Sequence, residues 1–175
     1  MTPMVNSIVR TKRRLFPHAA VQGGVMQFKN GYTYDEISIG DTGNFTKTIT
    51  ESDIHAFSAI TGDFNEAHVD EHYMQTSALG QKMKGRIAQG MLTAGLFSTL
   101  VGERIPGKGA LYVSQTCNFK LPVKIGDTIT ATCEVMEKME KRRIRMLTRC
   151  TNQRGEVVVD GEAIAIAAQN MEDVL

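Results

Sequence analysis

The sequence predicts an α+β domain in which one buried helix packs against a curved antiparallel sheet. Two observations carry this prediction. Between about residues 50 and 104, apolar residues recur at helical spacing, whereas the chain after residue 110 consists of long runs rich in Thr, Val and Ile. Because such strands pair with one another, the helix is expected to lie across one face of their sheet.

A strand and a capped helix are the first predicted elements. Residues 44–50 alternate in polarity and are rich in Thr, which is typical of a strand. Thr50 or Ser52 can cap the next helix, and Asp53 stands where a capping box with Thr50 requires an acidic side chain. Gly62 ends this helix.

Two further helical segments follow. The polar segment of residues 71–79 is expected to close at Gly80. The basic loop of residues 81–86 then leads into the most apolar helix candidate, residues 89–104. Its apolar side chains cover more than one face, so this helix is expected to be buried.

Four strand-like runs fill the rest of the chain, and groups of turn residues separate them. The runs are residues 111–121, 128–137, 143–152 and 156–168. No repeat or shift in composition divides residues 26–170, so we expect one domain there.

Composition and charge exclude several classes of protein. The 175 residues are 42% hydrophobic and 22% charged, which excludes collagen-like and wholly disordered chains. The 20 basic and 19 acidic side chains nearly balance, so charge gives no argument for a nucleic-acid partner. Three widely spaced cysteines predict neither a disulfide framework nor a metal site. Because no apolar stretch approaches the roughly 20 residues of a spanning helix, we expect no membrane partner and a cytoplasmic location.

Both ends of the chain are predicted to lie outside the domain. Five basic residues precede the first acidic one, Asp35. Residues 1–25 are therefore compatible with a mitochondrial targeting segment, which would place the protein in the matrix. The favoured interpretation is a basic, poorly ordered extension over residues 1–25, followed by the domain over residues 26–170 and a tail over residues 171–175.

The segment TGDFNEAHVD, residues 61–70, places a carboxylate, an amide and an imidazole close together after a helix. Asp63 and His68 can act as an acid/base pair, because one group takes a proton from water while the other supplies one. The spacing alone favours a structural interpretation, in which Asp63 caps a turn, Asn65 occupies a bend and His68 bonds a backbone carbonyl.

The segment GRIAQGML, residues 85–92, leads into the apolar helix. Unpaired amides at a helix N-terminus polarise a carbonyl oxygen placed there, and Gly90 would allow close approach. Gly90 fits equally well as a residue that permits tight packing. Ser98, two turns further on, needs a hydrogen-bond partner, for which Asp63 or the carbonyl four residues earlier is available.

The joint pattern TGDFN..H.D, IAQGM....LFS and PGKG..Y..Q...FKLPV..GD..T closely resembles the (R)-specific enoyl-CoA hydratases of the MaoC-like group. The resemblance covers about residues 34–168 in the right order. It implies a hot-dog fold, in which an antiparallel sheet wraps a long central helix, and a homodimer or a dimer of dimers. It also implies reversible syn hydration of trans-2-enoyl-CoA to (R)-3-hydroxyacyl-CoA, without a cofactor because coenzyme A is part of the substrate.

The resemblance also implies roles for individual residues. The catalytic pair falls on Asp63 and His68, the oxyanion donor on the Gly90 amide and its supporting hydroxyl on Ser98. Substrate contacts fall on Asn65, which would shape the loop, and on Val101 and Ile164 as the acyl-pocket wall. Apart from the resemblance, Lys82, Lys84 and Arg86 form a basic group before the apolar helix that could meet the phosphates of coenzyme A.

This sequence departs from many relatives at two positions. Glu66 replaces a proline and is expected to face solvent, while Gln89 replaces a histidine without removing the Gly90 amide. Three alternatives remain open: a 3-hydroxyacyl-[acyl-carrier-protein] dehydratase, a hot-dog acyl-CoA thioesterase and a non-catalytic acyl-CoA-binding module.

Overall fold

The computed structural model describes residues 31–170 and 172, together with the backbone of residues 20–22 and 25–27. Strands β1 (Ala20–Gln22) and β2 (Val25–Gln27) pair antiparallel with each other. They lie at the boundary between the predicted extension and the predicted domain. Most of both predicted ends falls outside the described residues, so the proposed extension and tail stay predictions.

Six strands of the described chain form one antiparallel sheet. They are β3 (Thr42–Thr48), β4 (Leu111–Gln115), β5 (Asn118–Phe119), β6 (Thr128–Lys138), β7 (Arg143–Thr151) and β8 (Val157–Ile166). Their order is β3-β6-β7-β8-β4, and the short β5 also pairs with β8. Burial alternates along β6 and β7, as expected when one face of a sheet covers a core. All four predicted strand runs are confirmed, although the first is divided between β4 and β5.

The first helix, α1 (Glu51–Thr61), has the predicted capping box. The Asp53 amide donates to Thr50 Oγ1 over 3.3 Å, and the Thr50 amide donates to the Asp53 carboxylate over 2.8 Å. The helix ends at Gly62, whose φ of +79° is a left-handed value that a residue without a β-carbon adopts easily. A single helical turn, α2 (Glu66–Val69), follows within the segment predicted as a loop.

The prediction that one helix closes at Gly80 is wrong. Helix α3 (Glu71–Thr76) ends at Ser77, whose hydroxyl accepts a hydrogen bond from the Gly80 amide and begins α4 (Ala78–Met83). A β-carbon added to Gly80 would lie 1.6 Å from the Met74 carbonyl oxygen. The glycine therefore allows α3 and α4 to pack closely, and it does not end a helix.

The predicted central helix is present as α5 (Gly90–Ala94) and α6 (Leu96–Glu103). Gly95 separates them but keeps right-handed helical angles, with φ −56° and ψ −23°. Buried side chains of α6, such as Phe97 and Leu100, join inward side chains of the sheet in one core. This arrangement confirms the predicted hot-dog architecture. Within the described part of the chain, no helix is both long and apolar enough to cross a membrane.

Candidate active site

Asp63 lies in the turn that joins α1 to α2. Its Oδ1 accepts a hydrogen bond of 3.3 Å from the Asn65 amide, and its side chain is 42% exposed. Asn65 in turn caps α2, because its Oδ1 accepts a 2.9 Å hydrogen bond from the Ala67 amide. The structural roles considered for Asp63 and Asn65 are thus both present, and they fix where the Asp63 carboxylate stands.

His68 lies on α2 and is held by a bond to the backbone. Its Nδ1 lies 2.8 Å from the Ile87 carbonyl oxygen. Because a carbonyl only accepts, Nδ1 carries the hydrogen, and Nε2 is left for proton exchange. Nε2 stands 3.8 Å from Asp63 Oδ2, longer than a hydrogen bond but close enough for an ion pair. The bond to a backbone carbonyl therefore orients the imidazole that faces the carboxylate.

Gly90 is the first residue of α5, and its amide donates to no acceptor among the described residues. The ring of Phe119 lies against it: a β-carbon on Gly90 would be 2.9 Å from Cε1 of that ring. Phe119 and Gly90 together line two cavities. One, of about 580 Å³, also contains Asp63, and the other, of about 280 Å³, also contains His68. Asp63 and His68 therefore line two neighbouring cavities, and Gly90 and Phe119 form part of the wall of both.

Gln89 connects α1, the helix that precedes Asp63, to the turn that contains Gly90. Its side chain is 2% exposed, and its Nε2 donates a 2.9 Å hydrogen bond to Ser58 Oγ on α1. Its Oε1 is buried and has no hydrogen-bond partner among the described residues. The side-chain amide of Gln89 therefore fixes the start of the central helix against α1. The other departure, Glu66, is exposed, which confirms the expectation that it faces solvent.

Ser98 is not brought together with the catalytic pair. It lines a third cavity of about 310 Å³ between the central helix and β4, which shares only Met91 with the Asp63 cavity. Within the described chain, its hydroxyl bonds neither to Asp63 nor to the Ala94 carbonyl. Val101, one turn beyond Ser98, is 2% exposed and belongs to the core.

The structure contradicts the expectation that Ile164 lines an acyl pocket. Along β8, Ala163 and Ala165 are fully buried on the face that meets the central helix. Side chains alternate along a strand, so Ile164 lies on the opposite face. There it pairs with Arg145, which forms a 3.0 Å ion pair with the exposed Glu162. Ile164 is therefore on the outer face of the sheet, and it lines none of the three cavities.

Arg86 is occupied by neighbouring carboxylates. Its NH1 and NH2 bond both Glu51 oxygens at 2.6 and 2.8 Å, and its Nε lies 3.0 Å from Glu71. The hydrogen bonds with Glu51 raise the pKa of the guanidinium above its ordinary value. NH1 also reaches the His68 carbonyl oxygen at 3.5 Å. Arg86 thus joins α1, α3 and the His68 turn, and its guanidinium is not available for a phosphate. Lys82 and Lys84, by contrast, are exposed.

Sequence reasoning gave no role to Phe119 or to the Gln89 side chain, and it gave Arg86 a different one. Phe119 begins the FKLPV segment of the family pattern, which is the signal that the sequence offered. Its contact with Gly90 cannot be predicted from sequence spacing. Among residues 31–170, no group of three or more His, Cys, Asp or Glu side chains is arranged to hold a metal ion.

Comparisons with known proteins agree on one family. The family model described as a MaoC like domain matches residues 37–156. The (R)-specific enoyl-CoA hydratase of Rhodospirillum rubrum is 47% identical over 74% of this chain and 88% of its own length. The 3-hydroxybutyryl-CoA dehydratase of Methylorubrum extorquens is 43% identical over 75% of this chain and 81% of its own. The unliganded R-hydratase PhaJ1 of Pseudomonas aeruginosa superimposes with a TM-score of 0.75 at 40% identity, covering 80% of this chain and 88% of that one.

Proposed function

Because the chain belongs to the MaoC-like domain family, we propose that it is a hydro-lyase that interconverts trans-2-enoyl-CoA and (R)-3-hydroxyacyl-CoA. One observation carries the proposal: His68 Nε2 and Asp63 Oδ2 stand 3.8 Å apart, and each of the two residues lines a cavity that Gly90 also lines. A proton acceptor, a proton donor and a carbonyl-polarising group are the three parts that hydration of an enoyl thioester needs. The names of the two bacterial relatives support the same reaction class.

The Gly90 amide is the proposed donor to the thioester oxygen. Negative charge builds on that oxygen when a nucleophile adds to the conjugated double bond, and a preorganised N–H stabilises this charge more than it stabilises the neutral carbonyl. The position of Gly90 at the start of the central helix adds the positive end of the helix dipole. The first expected consequence is a more electrophilic C3.

Asp63 and His68 complete the addition by accepting one proton from water and delivering one proton to C2. The Asp63 carboxylate takes a proton from water while the water oxygen bonds to C3 and the double-bond electrons move to the thioester oxygen. Protonated His68 Nε2 then gives its proton to C2, and the carbonyl re-forms. The proton on Asp63 passes to His68, so that the pair returns to its starting state.

The stereochemistry follows from where the pair stands. Asp63 Oδ2 and His68 Nε2 stand 3.8 Å apart, so both groups can act on the same face of the double bond. Addition of hydroxyl and proton from one face is a syn addition. The reaction moves only protons and a hydroxyl group, so we propose no cofactor beyond the coenzyme A of the substrate.

The coenzyme A arm is proposed to follow the cavity that contains His68. That cavity is lined by apolar residues such as Met83 and Leu121, and Lys82 and Lys84 are exposed on either side of Met83. Lysine ammonium groups there would meet phosphates. An acyl carrier protein offers the same phosphopantetheine arm, so a 3-hydroxyacyl-[acyl-carrier-protein] dehydratase is the second candidate. Equal activity on both thioesters would make the carrier irrelevant to recognition.

A homodimer through β4 is proposed as the functional unit. β4 is an end strand of the sheet, and Leu111 and Val113 on it are 66% and 44% exposed. An exposed apolar edge strand is suited to pairing with a second copy. Light scattering should give twice the monomer mass, and Leu111→Lys should give the monomer.

A cytoplasmic location is proposed, with the mitochondrial matrix as the alternative if residues 1–25 act as a targeting segment. Fusion of residues 1–25 to a fluorescent reporter distinguishes the two, because only a targeting segment would redirect the reporter.

The deciding experiment is a hydration assay with crotonyl-CoA that follows the loss of enoyl thioester absorbance. An (R)-specific dehydrogenase coupled to the product reports its configuration. Loss of absorbance with an (R)-product is the expected result. Release of free thiol would favour a thioesterase, and tight binding without turnover would favour a binding module.

A further inference from the structure

The third cavity runs away from Gly90 between the central helix and β4. Its helix wall is a stripe at helical spacing that ends at Ser98, roughly 12 Å along the helix from Gly90. Its strand wall consists of residues 112–115 and Cys117. Because Phe119 touches Gly90, the strand wall also begins near the reaction centre, and Tyr112 is the member of that wall furthest along the chain from Phe119.

An extra residue in β4 turns two side chains toward this cavity. Tyr112 pairs with Ala165 and Gln115 pairs with Ala163. Tyr112 and Gln115 are three residues apart on β4, whereas their partners on β8 are only two residues apart. Val113 is the extra residue of this β-bulge. Both alanines are fully buried on the concave face, so Tyr112 and Gln115 also lie on that face. In a regular strand, residues three apart would face opposite sides.

Gln115 holds Tyr112 in place. Its Oε1 accepts a hydrogen bond from the Tyr112 hydroxyl, while its Nε2 donates to Thr148 Oγ1 at 2.8 Å and to the Thr116 carbonyl at 2.7 Å. Thr148 is fully buried in β7. Burial raises the pKa of Tyr112 to about 12, so the phenol remains a donor at neutral pH. The ring therefore forms a fixed wall, unlike a flexible methionine.

We propose that Tyr112, fixed by Gln115 and Thr148, limits the length of the acyl chain and makes this a short-chain enzyme. This inference rests on the proposed function, because it places the acyl tail in the cavity that begins beside Gly90. The cavity volume of about 310 Å³ is at the low end for ligand sites. A fixed ring at the far end of so small a cavity stops a tail that a flexible side chain would let pass.

The test compares kcat/KM for crotonyl-CoA and trans-2-octenoyl-CoA in the wild type and in Tyr112→Ala. Each methylene that gains buried apolar surface should raise kcat/KM about fourfold, so the octenoyl-to-crotonyl ratio should rise at least about tenfold in the variant. Tyr112→Phe keeps the ring and loses only the bond to Gln115, so its ratio should rise at most about threefold. Tyr112→Leu serves if the alanine variant does not fold.

Tyr73→Ala is the matched control. Tyr73 is 38% exposed, as Tyr112 is 39% exposed, but it lies on α3 and lines none of the three cavities. Its ratio should stay at the wild-type value. An unchanged ratio in folded Tyr112→Ala, or an equal loss on both substrates, would overturn the proposal.

Calorimetric binding of butyryl-CoA and octanoyl-CoA separates this inference from the proposed function. Neither saturated thioester can be hydrated, so the binding ratio reports the cavity without any turnover. If the wild type hydrates no enoyl-CoA but Tyr112→Ala binds octanoyl-CoA relatively more tightly, the proposed reaction fails and the length limit stands. If hydration proceeds and the binding ratio does not move, the length limit fails alone.

Discussion

The two halves of the proposed site are built differently. The Asp63 segment is held by hydrogen bonds between near neighbours in sequence, from Asn65 to Asp63 and from Ala67 to Asn65. One further bond, from His68 to the Ile87 carbonyl, joins residues 19 positions apart. The Gly90 turn is held by contacts with distant parts of the chain. Substitutions in the first half should therefore remove chemistry and leave the fold intact, whereas substitutions in the second should disturb both.

The largest expected effect comes from the catalytic pair. Asp63→Asn and His68→Ala should each lower kcat for hydration by about a thousandfold, because each removes a proton-transfer group, which is generally worth 10²–10⁴. Thermal unfolding should change little, since Asn keeps an acceptor for the Asn65 amide and the His68 side chain makes one hydrogen bond, to the Ile87 carbonyl. Steady-state kinetics and thermal midpoints provide the measurement.

Asp70→Asn is the matched control for the pair. Asp70 lies on the same segment, caps α3 through a 2.8 Å bond from the Tyr73 amide and lines none of the three cavities. Asparagine caps helices as well as aspartate does, so kcat should hold. If Asp70→Asn lost as much activity as Asp63→Asn, the loss in Asp63→Asn could not be assigned to a catalytic role of the Asp63 carboxylate.

Gly90→Ala should lower kcat about a hundredfold, similar to the loss of one oxyanion donor. The added β-carbon would lie 2.9 Å from Phe119, so the ring or the turn must shift. A double variant with Phe119→Leu should recover part of the loss if the clash with the ring is the cause. Gly102→Ala on α6 is the control: its β-carbon meets no atom within 4 Å and should stabilise the protein by up to ~1 kcal/mol. Full activity of Gly90→Ala would show that close approach at this residue is not needed.

The same contrast explains what the sequence could and could not predict. Capping at Thr50, the end of α1 at Gly62 and the strands β6 and β7 follow from local composition and turn residues, and all were predicted. Gly80 misled the prediction, because its role is a tertiary contact with Met74 that imitates a helix end.

At the site, the segment that holds Asp63 and His68 was found because its chemistry lies in one short motif. The Arg86 bonds to Glu51 and Glu71 were not found, because pairing across 35 and 15 residues leaves no periodic signal. The expectation for Ile164 was wrong for a different reason. The resemblance gave its position in the sequence but not the face of the strand on which it lies, and side chains change face with every residue.

The Arg86 contacts give a smaller effect that separates positioning from phosphate binding. Arg86→Gln should lower kcat about tenfold, since a slight displacement of His68 affects geometry more than binding. Lys84→Asn should instead raise KM severalfold at low salt and leave kcat unchanged, because salt screens an exposed phosphate contact. Asn also tolerates the left-handed backbone of Lys84, whose φ is +57°. Equal salt dependence of KM in both variants would return Arg86 to the phosphate site.

Glu66→Pro should have the smallest effect and sharpens the account of the Asp63 segment. Glu66 is exposed and is the first residue of α2, where proline is well tolerated because the amide there needs no partner within the helix. Asn65 already has φ −55° and ψ 134°, the extended backbone that a residue before proline adopts. The variant should therefore keep kcat within about twofold and gain about 0.4–1 kcal/mol of stability through a less flexible unfolded chain. A large rise in kcat would mean instead that the Glu66 side chain hinders the reaction, and thermal unfolding with kinetics on crotonyl-CoA distinguishes the two results.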